Sequence, residues 1–175
     1  MNLIKTSIVV CAFNEELMLS KCLNSIKTNI CNQANTNEII IIDNNSVDTT
    51  SDIALKFIED NNNLMIRYLK IEHVPLTSSR NTAISFCKGE YIVFVDADAI
   101  VGENWLVNIL SKFNENTHIV AGNVTNYNNQ SYFANFIYNS HYKCSLKTSR
   151  LIGANMGFKS SVFDMNNGFL AATGN

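Results

Sequence analysis

The chain has 175 residues, nearly balanced charge (13 Lys and Arg against 15 Asp and Glu, net −2) and an apolar fraction of 46%. That is enough chain for one domain with a real core, and too little positive charge for a surface built to hold nucleic acid. No apolar run reaches the roughly 18 residues a membrane helix needs, and Met1-Asn2-Leu3-Ile4-Lys5 enters a strand pattern without the layout of a secretory signal.

Ser7 to Ala12 is a short apolar run that reads as a buried strand. Phe13-Asn14-Glu15-Glu16 follows, with Asn14 placed to cap a helix and the two glutamates in its first turn, where the helix dipole favours negative charge. Leu19, Cys22, Leu23 and Ile26 give that helix one apolar face, and residues 29–37 read as a loop. Glu38 to Ile42 is a second buried strand, ending in Asp43-Asn44-Asn45-Ser46-Val47-Asp48. Ser46 or Asp48 can cap the next helix, whose inner face carries Ala54, Phe57 and Ile58 and which the Asn61-Asn62-Asn63 run closes. Leu64 to Ile71 reads as a third strand. After Pro75, Thr77 or Ser78 opens a helix with Arg80, Ala83, Ile84 and Cys87 on one side, and Gly89 stands where its C-terminal stop belongs. Tyr91 to Val95 is the fourth strand and runs straight into Asp96-Ala97-Asp98. Gly102 precedes a helix with Trp105, Leu106, Ile109, Leu110 and Phe113 on one face. Ile119 to Val124 and Leu151 to Asn155 read as further strands, and Ser160 to Met165 as a short helix before Gly168-Phe169. Between them, residues 126–149 are irregular, and their aromatics, Tyr132 to Tyr142, read as core rather than as an acceptor platform.

Strand and helix alternate four times in the first 115 residues. That order implies an α/β fold, a mostly parallel central sheet with helices on both faces, and a ligand crevice beyond the carboxyl ends of the strands. Polar clusters fall at those ends: Cys11 to Glu15, Asp43 to Asp48, and Asp96 to Asp98. Carboxylates do not sit unpaired inside an apolar sheet, so Asp96 and Asp98 belong just past their strand. Two acids one residue apart on a rigid strand end suit a hard divalent cation carrying phosphate oxygens; the plainer reading is a solvated turn with Asp98 as a helix cap. Asp43-Asn44 has two readings of equal standing, turn chemistry or an amide that pairs with the edge of a nucleobase. The planar fork of Arg80 can neutralise Asp43, Asp96 or a diphosphate. The five cysteines show no C-x-x-C spacing and the three histidines are scattered, which argues for a reduced, cytosolic chain and against a zinc site. The glycine signatures of dinucleotide folds and P-loops and the nucleophile elbow of α/β-hydrolases are absent.

As a set, these segments resemble the family 2 glycosyltransferases of the GT-A fold. Ser7 to Glu16 resembles the family's first strand with its aromatic-Asn-Glu turn, and Ile42 to Asp48 its second-strand motif. Ser79-Arg80-Asn81-Thr82-Ala83 resembles its Ala-Arg-Asn-x-Gly helix, with Ser79 and Ala83 as departures, and Asp96-Ala97-Asp98 matches its D-x-D. Gly153 to Phe158, Val162-Phe163 and Gly168-Phe169 are similar to its acceptor-side segment. The resemblance implies one domain over residues 1–175, with a nucleotide-binding half (1–115) and a partial acceptor-side half (116–175). It implies that Cys11, Ala12, Phe13, Asn14 and Glu15 line a nucleotide-sugar pocket together with Asp43 and Asn44, Phe13 lying near the base. Asp96 and Ala97 would approach the ribose or diphosphate, Arg80 would support that charge cluster, and Asp98 would hold Mn²⁺ or Mg²⁺. The implied activity is metal-assisted, inverting transfer of a sugar from a nucleotide-diphosphate donor to a saccharide or lipid-linked saccharide acceptor. The implied setting is cytoplasmic polysaccharide assembly, with contact at the inner face of a membrane. The family's catalytic base usually follows the Gly-Phe segment as an acid pair; no acid follows Phe169 here. The expectation is therefore a piece of a longer enzyme, or a nucleotide-sugar binding domain without its base. A receiver-like domain taking Mg²⁺ and phosphate on Asp43 or Asp96 is the remaining alternative, and the motifs after residue 98 argue against it.

Overall fold

Runs of Ile and Val with no polar interruption can only be satisfied between two layers of cover, and the computed structural model, which describes residues 4–31, 36–125, 153–166 and 168–169, shows that arrangement. Strands β1 (Thr6–Ala12), β2 (Asn37–Asp43) and β4 (Tyr91–Asp96) are buried almost throughout, while β3 (Met65–Lys70) is half-exposed at the edge. Helices α1 (Leu19–Ile30), α2 (Thr50–Asp60) and α3 (Leu76–Phe86) connect these strands in turn. Beyond them come α4 (Trp105–Leu110), β5 (Ile119–Ala121), β6 (Asn155–Lys159) and α5 (Ser161–Asn166). The strand order is β3-β2-β1-β4-β6-β5. β1 to β4 are parallel; β6 runs antiparallel to both β4 and β5.

The chain moves outward from β1 to β2 to β3, then returns past β1 to place β4 on its other side. Parallel crossovers are right-handed, so reversing the direction of travel moves the connecting helix to the opposite face. The core divides accordingly. On one face Ile8, Val10, Ile39, Ile41, Val93 and Val95 pack against α1, α2 and α4. On the other, Val9, Ile40, Ile42, Ile92 and Phe94 pack against Ala83 of α3 and Phe163 of α5. The β1–β4 boundary is therefore the switch point of the sheet, where α/β sheets open a crevice.

Several expected boundaries move. α3 begins at Leu76, directly after Pro75, and ends at Phe86, with Cys87 already extended. Gly89 is therefore not the stop of that helix. It is glycine because its Cα lies against β1: a Cβ there would sit 2.5 Å from the Ser7 nitrogen and 2.7 Å from the Thr6 carbonyl carbon. The strand read at Leu151 to Asn155 starts instead at Asn155 and runs to Lys159; residues 151 and 152 lie outside the described residues. Gly157 masks its signal, and it is needed because Ile109 and Phe113 press on that position. β5 stops at Ala121 rather than Val124. The aromatic segment 126–149, with His141 and Cys144, also lies outside the described residues.

At the end of the sheet remote from the crevice, Glu38 is buried but fully engaged. It accepts hydrogen bonds from the Ser7 hydroxyl (2.6 Å) and the Lys88 amide (2.8 Å), and pairs with Arg67 (2.6 Å). Because the atoms crowding Gly89 are main chain and cannot rotate away, Gly89→Ala should cost roughly 2–3 kcal/mol in urea unfolding, with little change in the slope of the transition.

Candidate functional site

Strand alternation decides where each rim acid points. In β4, Ile92 and Phe94 face α3, so Asp96 does too, beside Cys11 of β1. In β2, Ile39 and Ile41 face α1 and α2, so Asp43 does as well. The two strand-end acids therefore lie on opposite faces of the sheet and meet different partners.

Asp96 meets Arg80. The guanidinium donates to Asp96 Oδ1 at 2.8 Å, lies 6.0 Å from the centre of the Phe94 ring, and is covered by Gly153, where a Cβ would come within 2.5 Å of Nη2. Arg80 thus settles on Asp96, not Asp43. Burial pushes the Asp96 carboxyl above its ordinary value; Arg80 opposes this and the charge of Asp98 adds to it. Glu15 is also raised, by burial first and then by the charges of Asp98, Asp48 and Asp96.

Asp43 is fully buried and spends its carboxylate inside the fold. It accepts from the Ser46 amide (2.8 Å), the Ser51 hydroxyl and the Tyr68 hydroxyl (2.8 Å), with Lys70 3.9 Å away. Burial pushes this carboxyl up, but the hydrogen bonds from Ser46, Ser51 and Tyr68 outweigh it and hold it below the usual range. Asn44 is equally committed. Its amide donates to the Val74 carbonyl (2.8 Å) and its Oδ1 accepts from the Val74 amide (2.9 Å), which fixes its orientation against the segment that follows β3.

Asn14 does not cap α1, which starts only at Leu19, and the two glutamates precede the helix rather than form its first turn. Asn14 sits at φ 54° and Asn45 at φ 66°, left-handed conformations that Asn tolerates. The two rim loops are laced together there. The Asn14 amide donates to Ser46 Oγ (3.0 Å), and the Val47 amide to Asn14 Oδ1 (2.9 Å). The Glu15 amide donates to Thr50 Oγ1 (2.7 Å), and the Glu16 amide to Asp48 Oδ2 (3.2 Å). The N-cap of α2 falls on Thr49 rather than on Ser46 or Asp48; Asp48, one residue earlier, accepts from the Thr50 amide (3.0 Å), and Ser46 serves Asn14. The lacing fixes Phe13 and Glu15 on the rim.

A cavity of about 440 Å³ opens at the switch point. Of the residues singled out from sequence, Cys11, Ala12, Phe13, Glu15, Asn44, Asp96, Ala97 and Asp98 line it, and Asn14, Asp43 and Arg80 are not among its lining residues. Its far wall was not foreseen: His73, Val74, Pro75, Leu76 and Ser79. These residues carry no periodic pattern, and only the return of α3 across the sheet brings them to the rim. Its lining includes an aromatic pair, Phe13 and His73, in contact (centroids 4.5 Å, tilted 41°). It also includes the acids Glu15, Asp96 and Asp98, and neither Glu15 nor Asp98 has an ion-pair partner among the described residues. No group of three or more His, Cys, Asp or Glu among the described residues is placed to hold a metal ion by itself. The exposed Asp98 carboxylate in an acidic, open cleft instead fits a hard cation that takes one protein oxygen and completes its shell with phosphate and water.

A family model described as Glycosyl transferase family 2 matches residues 7–171. Among curated proteins, the chain is 27% identical over 142 residues to Glycosyltransferase GlyA of Streptococcus pneumoniae, covering 79% of this chain and 20% of that protein. It is 34% identical over 103 residues to the poly(ribitol-phosphate) beta-glucosyltransferase of Bacillus spizizenii, covering 59% and 16% respectively. It thus spans a fifth or less of the length of these two relatives. Among solved structures, it matches the mannosyltransferase PcManGT from Pyrobaculum calidifontis in complex with GDP-Man and Mn²⁺ at TM-score 0.79 and 19% identity, over 95% of this chain and 47% of that one. It matches S. aureus TarS in complex with UDP-GlcNAc at TM-score 0.66 and 19% identity, over 94% and 48%. At such identities the likeness is one of fold, the GT-A arrangement of sheet and helices. Among the described residues no helix is long and apolar enough to cross a membrane.

Two outcomes follow from these environments. The folded Asp43 carboxyl titrates below its unfolded value of about 3.9, so its stabilisation is complete above that pH and is lost as pH falls through the folded value. Asp43→Asn should cost about 3 kcal/mol near neutrality, and its deficit against wild type should shrink in acid when unfolding is followed by circular dichroism. Burial pushes the thiols of Cys11, Cys22 and Cys87 up to about 12. Among the described cysteines, all free, iodoacetamide at about pH 7.5 should therefore label the exposed Cys31 first and leave pocket-lining Cys11 unmodified, as read by peptide mass spectrometry.

Proposed function

Because the chain belongs to glycosyl transferase family 2, we propose that its rim pocket holds the nucleoside diphosphate of an activated sugar and that the protein transfers the sugar to an acceptor hydroxyl. The observation that carries this reading is the composition of the pocket's lining. It combines an aromatic pair, Phe13 and His73, with the acids Glu15, Asp96 and Asp98, of which only Asp96 has an ion-pair partner among the described residues. A nucleotide combines the matching chemistries, an aromatic base joined through ribose to a diphosphate that travels with a divalent cation. The GDP-Man and Mn²⁺ of PcManGT and the UDP-GlcNAc of TarS support the donor class and the metal. The poly(ribitol-phosphate) beta-glucosyltransferase supports a polymer or saccharide acceptor.

In this reading Asp98 holds Mn²⁺ or Mg²⁺, which when bound supplies positive charge to the diphosphate. Asp96, kept in place by Arg80, faces the ribose or diphosphate without drifting into the metal position. Asp96 ends β4, and the buried Ala97 and exposed Asp98 form the turn that follows. Holding Asp96 on Arg80 before the sugar departs, with a cation on Asp98 to offset the negative charge that develops on the diphosphate, would limit reorganisation during bond cleavage. Transfer then proceeds by direct displacement with inversion. The rim acids serve the diphosphate end, and a further carboxylate takes the acceptor proton. All lining residues fall between 11 and 98, which supports reading residues 1–115 as the donor half and 116–175 as the acceptor side. A receiver-like role for Asp43 is disfavoured by the hydrogen bonds that already occupy its carboxylate. We place the protein in the cytoplasm, in peripheral contact with a membrane-borne acceptor.

Thermal-shift and calorimetric titrations with UDP-, GDP-, dTDP- and CMP-sugars, with and without Mn²⁺ or Mg²⁺, test the reading. At least one sugar nucleotide should stabilise the protein by a few degrees in a metal-dependent way, and stabilisation by none would refute it. Asp98→Ala should weaken metal-dependent binding by roughly tenfold or more, about 1.4 kcal/mol. An unchanged affinity would remove Asp98 from the site.

A further inference from the structure

Reading the edge of a nucleobase needs a hydrogen-bonding side chain beside the Phe13 ring. Among the polar lining side chains, Glu15, Asp96 and Asp98 gather as acids, and Ser79 is wholly buried. The side-chain amide of Asn44 is held in place by Val74 through one N–H and one lone pair. His73 remains. It is exposed, lines the cavity and touches the Phe13 ring. Its Nδ1 lies 3.3 Å from the Asn44 carbonyl oxygen. A carbonyl only accepts, so Nδ1 carries the proton, and in the neutral ring Nε2 is a bare acceptor. Nε2 has no protein partner among the described residues. The ring is also anchored: the Asn44 main chain holds His73, and the Asn44 side chain holds the next residue, Val74.

We propose that His73 is the specificity-determining residue for the base. Nε2 accepts a hydrogen bond from a ring N–H on the pairing edge, as uracil and guanine present, while Phe13 offers its ring to the face of the base. This rests on the nucleotide reading of the pocket. It moves base recognition from Asn44, where the sequence suggests it, to a residue that Asn44 positions. Asn44 acts through the backbone it organises and is a positioning residue.

The test is a titration of wild type, His73→Phe and His73→Ala with UDP, GDP and the same nucleotides methylated on the ring N–H, all with Mg²⁺. His73→Phe keeps a flat ring against Phe13 and removes both nitrogens. Methylation should cost wild type roughly five- to tenfold in affinity for the tighter nucleotide, the span of one neutral hydrogen bond. In both variants that penalty should fall below roughly twofold, the difference reported as a double-mutant coupling. His73→Gln, which restores an acceptor, should recover part of it. Equal methylation penalties in wild type and His73→Phe would overturn the assignment while leaving the nucleotide reading intact. Uniform weakening of all four ligands would overturn it too, since the ring would then only stack. No binding of any unmodified nucleotide to wild type would overturn the nucleotide reading and the assignment together.

Discussion

The ion pair between Arg80 and Asp96 is the contact on which the site depends. An acid at the end of a strand buried on both faces is costly unless a cation meets it. The cation comes from α3, and α3 can supply it only because the chain doubles back across β1 and puts that helix on the face to which Asp96 points. Phe94 and Gly153 then pack the guanidinium on two sides. One local charge requirement and one topological reversal together place a fixed carboxylate at the mouth of the crevice, with Asp98 exposed beside it.

Asp43 shows what the same residue type does without that reversal. It ends a strand as buried as β4 and neighbours Ala12 in register, yet it faces α2 and finds hydroxyls and a backbone amide instead of a ligand. Its low-lying carboxyl is a sign of structural use, while burial first and neighbouring acids second raise the carboxyls of Asp96 and Glu15. The contrast separates two acids that look alike in sequence. It also explains the division of labour on the rim, where Asp43, Asn14 and Asn44 hold loops in place and Phe13, Glu15, His73, Asp96 and Asp98 face the cavity.

The Gly168-Phe169 segment is tied to the same helix. Asn81, next to Arg80, donates to the Phe169 carbonyl (2.8 Å) and accepts from its amide (2.7 Å), so the Gly168-Phe169 segment is clamped beside the Arg80–Asp96 pair. Gly168 has φ 97° and lies so close to Asn81 that a Cβ would meet its Oδ1 at 2.5 Å. Phe169 closes the arrangement by packing on Phe94, Phe158 and Phe163. α3 therefore joins the Arg80–Asp96 pair to the backbone of Phe169.

The sequence by itself determined the alternation of strands and helices, the burial of β1, β2 and β4, and the gathering of polar residues at their carboxyl ends. These follow from local pattern: unbroken Ile and Val runs, helical spacing of apolar residues, and acids where an apolar run stops. It also carried enough motifs in order to point to a family. The face of each strand-end residue was decided only by tertiary structure, because register and crossover direction are set by contacts between distant segments. So Asp43 turned away from the pocket, Asn44 spent its amide on Val74, Asn14 became a loop clasp rather than a helix cap, and Gly89 answered to the backbone of β1. His73 and Val74 had no signal to read, and Pro75 and Ser79, legible as a helix start and a motif residue, gave no sign of lining a cavity, since that depends on where the return of α3 leaves them.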